Sequence, residues 1–382
     1  VFLLGAGTLL FFSLYWTVVP ARWRRAVFGA VSIAVLAFHF PEAVAGIGLL
    51  TILVHLVLAP ADERPQWGRA LAVICGAVAL LAVRGAGPFS PLRLVGLSYA
   101  TFRVIHVAVE QARGRLRVGG LAAFLEYALF SPAWLSGPIE RYGDFQRGVE
   151  ISRLDLDSAF WGTRRIFFGL VKKVFLVGVL ADAAERGFAD SSGGASGAWL
   201  ALLCYALYVY LDFSAYCDLA LGIARLFGYR LSENFRWPYL AADIGEFWRR
   251  WHITLSQWLR DYLYLPLSVM LAESPRLRRQ PLLVASLSAV VTMTACGLWH
   301  GNTPSLAIWG LGHGLLLAGH QFYRQRILGR LAAKRRRALT SNPLYRLAST
   351  AATFFCVTLL WVFFRFRVGD ALVFLPRLLP LK

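Results

Sequence analysis

Apolar runs near the length of a membrane crossing recur through this chain, and they constrain it more than any motif does. A crossing α-helix needs about 20 predominantly apolar residues. Runs of that kind, or large fractions of one, occupy 1–19, 26–40, 43–60, 69–83, 92–109, 121–140, 159–182, 198–228, 282–299, 304–323 and 347–364. Charged residues make up 16% of the 382, too few to cover a water-facing surface, since soluble chains carry about 25%. The reading is an all-α polytopic membrane protein with about ten crossings or partial crossings, forming one integrated domain over 1–382. The first run lacks a basic leader and a small-residue cleavage site, so it reads as a span and not as a cleavable signal.

Punctuation between the runs adds detail. Pro20, the Ala61–Gly68 segment, the Gly85–Pro91 turn and the Ser/Gly-rich stretch 190–197 read as loops or turns. The run 121–140 is interrupted by Pro132, Gly137 and Pro138 and reads as a broken or re-entrant helix. Such backbone survives at membrane depth only where protein or a cavity satisfies its hydrogen bonds. Lys172 and Lys173 inside 159–182 either snorkel or mark the junction of a short helix pair. Run 198–228 is long for one helix and carries Asp212 and Asp218, acids that should face a cavity or a partner and not lipid.

The net charge of +19 is not a nucleic-acid signal here. The cations cluster between apolar runs: Arg22, Arg24 and Arg25; Arg113, Arg115 and Arg117; Arg164, Arg165, Lys172 and Lys173; and 334–337. Short basic loops stay cytoplasmic and fix orientation, and anionic lipid headgroups reinforce them. No nucleic-acid motif accompanies the charge. Five cysteines, at 75, 204, 217, 296 and 356, form no close-spaced pair and read as small buried hydrophobes. No Walker or dinucleotide fingerprint is present.

Two polar islands stand out. Gly245–Leu267, GEFWRRWHITLSQWLRDYLYLPL, reads as a helix in which Trp248, His252 and Ser256 share one face at i, i+4 and i+8, with Pro266 limiting its continuation. Composition alone leaves an interfacial anchor and a catalytic element both open, because Trp, Tyr and Arg all favour the membrane interface. The second island is Leu298–Asn302, LWHGN, where Gly297 and Gly301 bracket His300 and permit close backbone approach. A neutral imidazole there accepts a proton from a hydroxyl; a merely structural, hydrogen-bonded histidine is the alternative. His313 and His320, seven apart, are a weak pair, and no zinc-like ligand set is evident. His39, His55 and His106 read as packing residues or polar residues of the bundle interior.

Taken together, EFWRRWHITLSQWLRDYLYLPL, the preceding YLDFSAYCDLALGIARLFGYRLSENFRWPYL, the upstream GPIERYGDF at 137–145 and the following CGLWHG resemble the membrane-bound O-acyltransferase family. The branch is that of alginate O-acetylation and teichoic-acid D-alanyl transfer. The resemblance is strongest over residues 130–325. It departs from the alginate-type pattern at SVMLAESPRLRRQP after LYLPL, and at Tyr216-Cys217-Asp218. What it implies is a ring of tilted transmembrane helices around a central funnel or tunnel, with re-entrant or interfacial helices, in a bacterial cytoplasmic membrane. His300 would promote attack of a hydroxyl on a thioester, and His252 would orient, donate hydrogen bonds or assist proton transfer. Arg249, Arg250, Arg260, Trp248 and Trp299 are the residues expected at the donor; Asn302, Asp212, Tyr216, Asp218 and Ser256 are expected to support the centre.

The expected donor is acetyl-CoA used as a substrate, with no bound prosthetic group, and the expected acceptor is a hydroxyl of an exported or envelope polysaccharide. A carrier-protein thioester as donor, a small secreted metabolite or lipid-linked sugar as acceptor, and an extracytoplasmic partner acyltransferase all stay open. A transporter or flippase ranks lower, because no inverted repeat of the transporter kind is evident.

Overall fold

The computed structural model of the chain describes residues 11–58, 68, 70–71, 73–76, 96–149, 154–190 and 192–379. The opening half of the expected 1–19 span, most of the 61–68 loop, much of the 69–83 span and the 85–91 turn lie outside those residues. Apart from a single antiparallel bridge, Val149 to Tyr229, the described residues hold no β-structure. In chain order the helices are α1 (Ala21–His39), α2 (Pro41–Leu58), α3 (Leu97–Ala112), α4 (Leu121–Ala128), α5 (Tyr142–Arg147), α6 (Leu156–Val171), α7 (Val177–Ala189) and α8 (Gly194–Leu226). They continue as α9 (Ile244–Arg250), α10 (Ile253–Leu259), α11 (Leu265–Glu273), α12 (Pro281–His300), α13 (Pro304–Phe322), α14 (Ala333–Ser341), α15 (Pro343–Arg365) and α16 (Val368–Phe374).

The chain is a polytopic all-α membrane protein. Among the described residues α2, α8, α12 and α15 are long and apolar enough to cross a membrane. Their surfaces agree: Leu49 and Leu56 on α2, Leu200 on α8 and Leu344 on α15 are each at least 60% exposed, a density of bare apolar side chains that suits hydrocarbon and not water. Cysteine exposure follows the same logic. Only Cys217 and Cys296 are buried, Cys204 and Cys356 are half-buried and Cys75 is exposed, so the expectation of five buried cysteines fails because an apolar side chain here can face lipid as readily as protein.

Several expected elements change shape. The 190–197 stretch is a loop only at its start, since α8 begins at Gly194 and runs 33 residues without a break. Lys172 and Lys173 open a π-turn, Lys172–Leu176, between α6 and α7. The 121–140 run breaks as read, with α4 ending at Ala128, a 3-10 turn at Ser131–Ala133 around Pro132 and irregular backbone to Arg141.

Two compact units divide the chain: 1–171 with 213–233, and 172–212 with 234–382. In the first, a buried polar net holds irregular backbone in place. Tyr127 Oη donates to the Glu140 carbonyl at 2.6 Å, Glu140 Oε2 accepts from Ser232 Oγ at 2.9 Å, and His106 Nε2 accepts the Tyr142 N–H at 3.0 Å. At its edge Asp155 caps α6, and bonds from the Ser158 N–H and hydroxyl hold its carboxyl below the usual carboxylate range.

The second unit is organised by the α12–α13 hairpin. Gly297, Gly310 and Gly314 lie where the two helices touch. A β-carbon on Gly297 would overlap the Leu306 carbonyl, and one on Gly314 would fall 2.6 Å from the Val290 Cα. Small residues let helix backbones approach this closely in membranes. The turn is fixed by Thr303, which caps α13.

Candidate active site

The Gly245–Leu267 island is not one helix. α9 ends at Arg250, His252 takes a left-handed conformation with φ of +41°, and α10 begins at Ile253. The expected shared face of Trp248, His252 and Ser256 is therefore lost: the break swings His252 out of helical register. Pro266 does not stop the helix either. The helix runs on through a π-turn at Arg260–Tyr264 into α11 with Pro266 just beyond it, and such a bulge accommodates the donor that the proline lacks.

A left-handed residue other than glycine costs about 1–2 kcal/mol, and tertiary hydrogen bonds offset it here. The Asn234 carbonyl accepts from Ile253 N at 2.9 Å. Asn234 Oδ1 accepts from Thr254 N at 3.2 Å and Thr254 Oγ1 at 3.0 Å, and lies 3.1 Å from His252 Nδ1. A backbone N–H only donates, so the amide atom facing Thr254 is the oxygen. Nδ1 of His252 must then donate to it, which leaves Nε2 as the accepting nitrogen of a neutral ring. Asn234 is fully buried and His252 is 2% exposed. Asn234 was visible only as part of a polar segment; nothing in its local spacing marks it as the partner of His252.

His300 is the last residue of α12 and is half-buried. Its ring lies 4.6 Å from Trp299 and packs edge-on against Trp309 at 5.3 Å and Phe364 at 5.1 Å. Trp361 extends the wall, stacking on Trp309 at 5.9 Å and meeting Trp251 at 5.3 Å, and its indole N–H donates to Tyr239 Oη at 3.1 Å. Trp309 comes from the next helix, α13, and Trp361 and Phe364 from α15, some sixty residues on; sequence reasoning missed all three. Trp309 packs against both His300 at 5.3 Å and His313 at 4.8 Å, and His300 lies within electrostatic range of His252. His313 is fully buried between Trp248 at 5.0 Å and Trp309 at 4.8 Å.

A cavity of about 340 Å³ gathers four more of the expected residues, Trp248, Arg249, Ser256 and Arg260, with Arg324 beside them. His252 and His300 are not in its lining; Trp248 and Trp309, 6.0 Å apart, carry the aromatic wall from the cavity to His300. Arg249 is exposed, while Arg260 pairs with Asp261 at 2.8 Å. Arg250 does not line the cavity; it pairs with Glu246 at 2.5 Å and reaches the Trp237 carbonyl. Ser256 Oγ donates to the Trp251 carbonyl at 3.0 Å. Asn302 is exposed in the α12–α13 turn. Asp212 pairs with Lys173.

Tyr216 and Asp218 belong to the other unit. Tyr216 Oη donates to the Pro132 carbonyl and accepts the Leu135 N–H, both at 3.1 Å, and so ties down the broken 131–141 backbone. Asp218 pairs with Arg165 at 2.7 Å, which also grips Glu233 through both terminal nitrogens. Among the described residues no group of three or more His, Cys, Asp or Glu side chains is placed to hold a metal ion.

The sequence model described as MBOAT, membrane-bound O-acyltransferase family, matches residues 93–362. "Probable alginate O-acetylase AlgI" of Pseudomonas aeruginosa is 36% identical over 272 residues, covering 71% of this chain and 48% of that protein. "Peptidoglycan O-acetyltransferase" of Helicobacter pylori is 35% identical over 253 residues, covering 64% of this chain and 44% of that protein. "Teichoic acid D-alanyltransferase" of Bacillus subtilis is 28% identical over 244 residues, covering 62% and 61%. The chain spans about half the length of the alginate and peptidoglycan relatives it matches.

Proposed function

Because the chain belongs to the membrane-bound O-acyltransferase family, we propose that it moves an acyl group from a thioester to a hydroxyl. In this reading the donor is cytosolic acetyl-CoA and the acceptor a hydroxyl of an exported or cell-envelope polysaccharide. The alginate- and peptidoglycan-acetylating relatives favour acetyl over other groups. Residues 1–382 then act as one membrane domain, with the helices ringing a central funnel.

The observation that carries the proposal is His300 set among the rings of Trp299, Trp309 and Phe364, within electrostatic range of His252, which Asn234 holds at 3.1 Å. His300 takes the proton of the acceptor hydroxyl as its oxygen attacks the thioester carbonyl. The carbon–sulfur bond then breaks, and the proton passes from His300 to the departing thiolate. His252, with its accepting Nε2, orients the hydroxyl or the His300 ring. The indole walls restrict water, which would otherwise compete as the nucleophile. Arg249 and Arg260 on the cavity suit phosphate groups, which both coenzyme A and a carrier-protein phosphopantetheine bear. The D-alanyl transferase relative favours testing the second donor as well.

The deciding experiment follows labelled acetyl from acetyl-CoA into envelope glycans, using membranes that carry the wild-type chain or His300→Ala. Label in acetyl ester of a glycan, lost in the variant, is the expected result. Transfer at the wild-type rate by His300→Ala removes the assigned base, and label that enters only from a carrier-protein thioester replaces the donor.

A further inference from the structure

Helices α13 and α15 present matching stripes to one another. On α13 these are Gly312, Leu315, Leu316, Gly319 and His320, continued by Tyr323 in the π-turn that follows, and on α15 Ser349, Ala352, Thr353, Cys356, Leu359 and Leu360. Both follow the three- and four-residue spacing of a single helix face. Between them runs a groove of about 650 Å³, lined by four leucines and two glycines with His320, Tyr323 and Cys356 gathered toward one end. A β-carbon on Gly319 would meet nothing within 4 Å, and Leu315 is 56% exposed, so the groove is open on its outer side.

One end of the groove is different. Leu316, His320, Tyr323 and Cys356 also line an adjoining cavity of about 540 Å³, which adds Arg324, Arg346, Tyr345 and Ser349. Tyr323 and Tyr345 share a hydroxyl–hydroxyl bond of 3.1 Å at this end. Neither Arg324 nor Arg346 is paired with a carboxylate among the described residues. The one acid in the lining, Asp243, is already engaged: it caps α9 by accepting the Glu246 N–H at 2.7 Å and faces His320 at 3.5 Å.

An apolar slot that ends in two unpaired guanidiniums is amphipathic along its length. Gly312 to Arg324 covers about 18 Å of helix rise, close to one leaflet of a hydrocarbon core about 30 Å thick. Basic pockets between membrane helices bind anionic lipid headgroups. We infer that this groove holds one anionic phospholipid, its phosphate between Arg324 and Arg346 and an acyl chain lying over Gly312 and Gly319. Between Gly312 and Gly319 the leucine walls argue against the pantetheine arm of an acyl donor, since Leu315, Leu316, Leu359 and Leu360 offer its amides no side-chain partner. His320 and Arg324 also line the cavity that contains Trp248 and Arg249, so the lipid touches residues shared with that cavity.

The test is native mass spectrometry of the full-length chain in detergent, delipidated and re-supplied with phosphatidylglycerol or phosphatidylcholine of matched chains. Wild type is expected to retain phosphatidylglycerol at least fivefold over phosphatidylcholine. The pair Arg324→Gln/Arg346→Gln loses that preference, Arg324→Lys/Arg346→Lys keeps it, and Gly319→Phe loses retention of both lipids. A preference unchanged in the glutamine pair overturns the inference. So does displacement of phosphatidylglycerol by inorganic phosphate at equal concentration, or by coenzyme A, which would make the basic end a donor site. Lipid retention is read without any transfer reaction, so it stands or falls separately from the proposed activity.

Discussion

The two helix ends that present His252 and His300 are built by opposite means. His252 sits in a strained, left-handed break and is held by hydrogen bonds: one buried amide, Asn234, receives His252 and both donors of Thr254. His300 ends a regular helix and is held by ring faces, those of Trp299, Trp309 and Phe364. Hydrogen bonds to a directional acceptor fix a ring's tautomer as well as its place. Aromatic walls fix a ring's position and its tilt. In the proposed reaction His300 moves the proton and His252 orients, so variants strike the two supports separately.

The largest effect expected from this contrast is at His300. His300→Ala should lower kcat by about 10²–10⁴-fold, the usual worth of a general base, with the folded yield unchanged. A loss below tenfold would reverse the roles of the two histidines. Next is Asn234→Ala, which strands the His252 ring and the Thr254 donors in a buried site. Unsatisfied buried groups cost about 1–3 kcal/mol each, so a fall in kcat of roughly 5- to 150-fold is expected, with donor KM little changed. If kcat holds while KM for the donor rises, Asn234 serves donor binding and the comparison fails on its polar side.

What could be read from the sequence divides along the same line. The spans Pro281–His300, Pro304–Phe322 and Pro343–Arg365 fall within a few residues of their expected places, because apolar length and bounding prolines are local signals. The break near Pro132 was legible for the same reason. The break at His252 was not. The spacing of Trp248, His252 and Ser256 is perfectly helical, and only Asn234, 18 residues upstream, makes the other conformation favourable. The His300 walls were likewise hidden: Trp299 is its neighbour in sequence, but Trp309 and Phe364 arrive from other helices. Local pattern locates helices well, whereas the two histidine settings are tertiary.

A smaller effect is expected at the cavity rim. Arg249 is exposed there and makes no ion pair among the described residues. An exposed charge contributes about 0.2–1 kcal/mol, so Arg249→Gln should raise donor KM by no more than about fivefold. The effect should shrink at high salt, with kcat intact. A drop in kcat as large as that of Asn234→Ala would move Arg249 from the rim to the reacting centre.

The smallest effect is expected at His313, and it separates packing from chemistry most cleanly. This ring is as buried as His252 and closer to Trp309 than His300 is, yet neither of its nitrogens has a hydrogen-bond partner among the described residues. It lies nearly parallel to Phe247 at 6.1 Å and edge-on to Trp248 and Trp309, as a phenyl ring would. Replacing an unsatisfied buried polar group by an apolar one of similar shape is nearly neutral or stabilising. His313→Phe should therefore melt at the same temperature or higher, with kcat within about twofold. A loss of activity on the scale of His300→Ala, in a variant that still elutes as folded protein, would mean that His313 exchanges protons with His300. An aromatic cage would then not be enough to explain how the His300 ring is held.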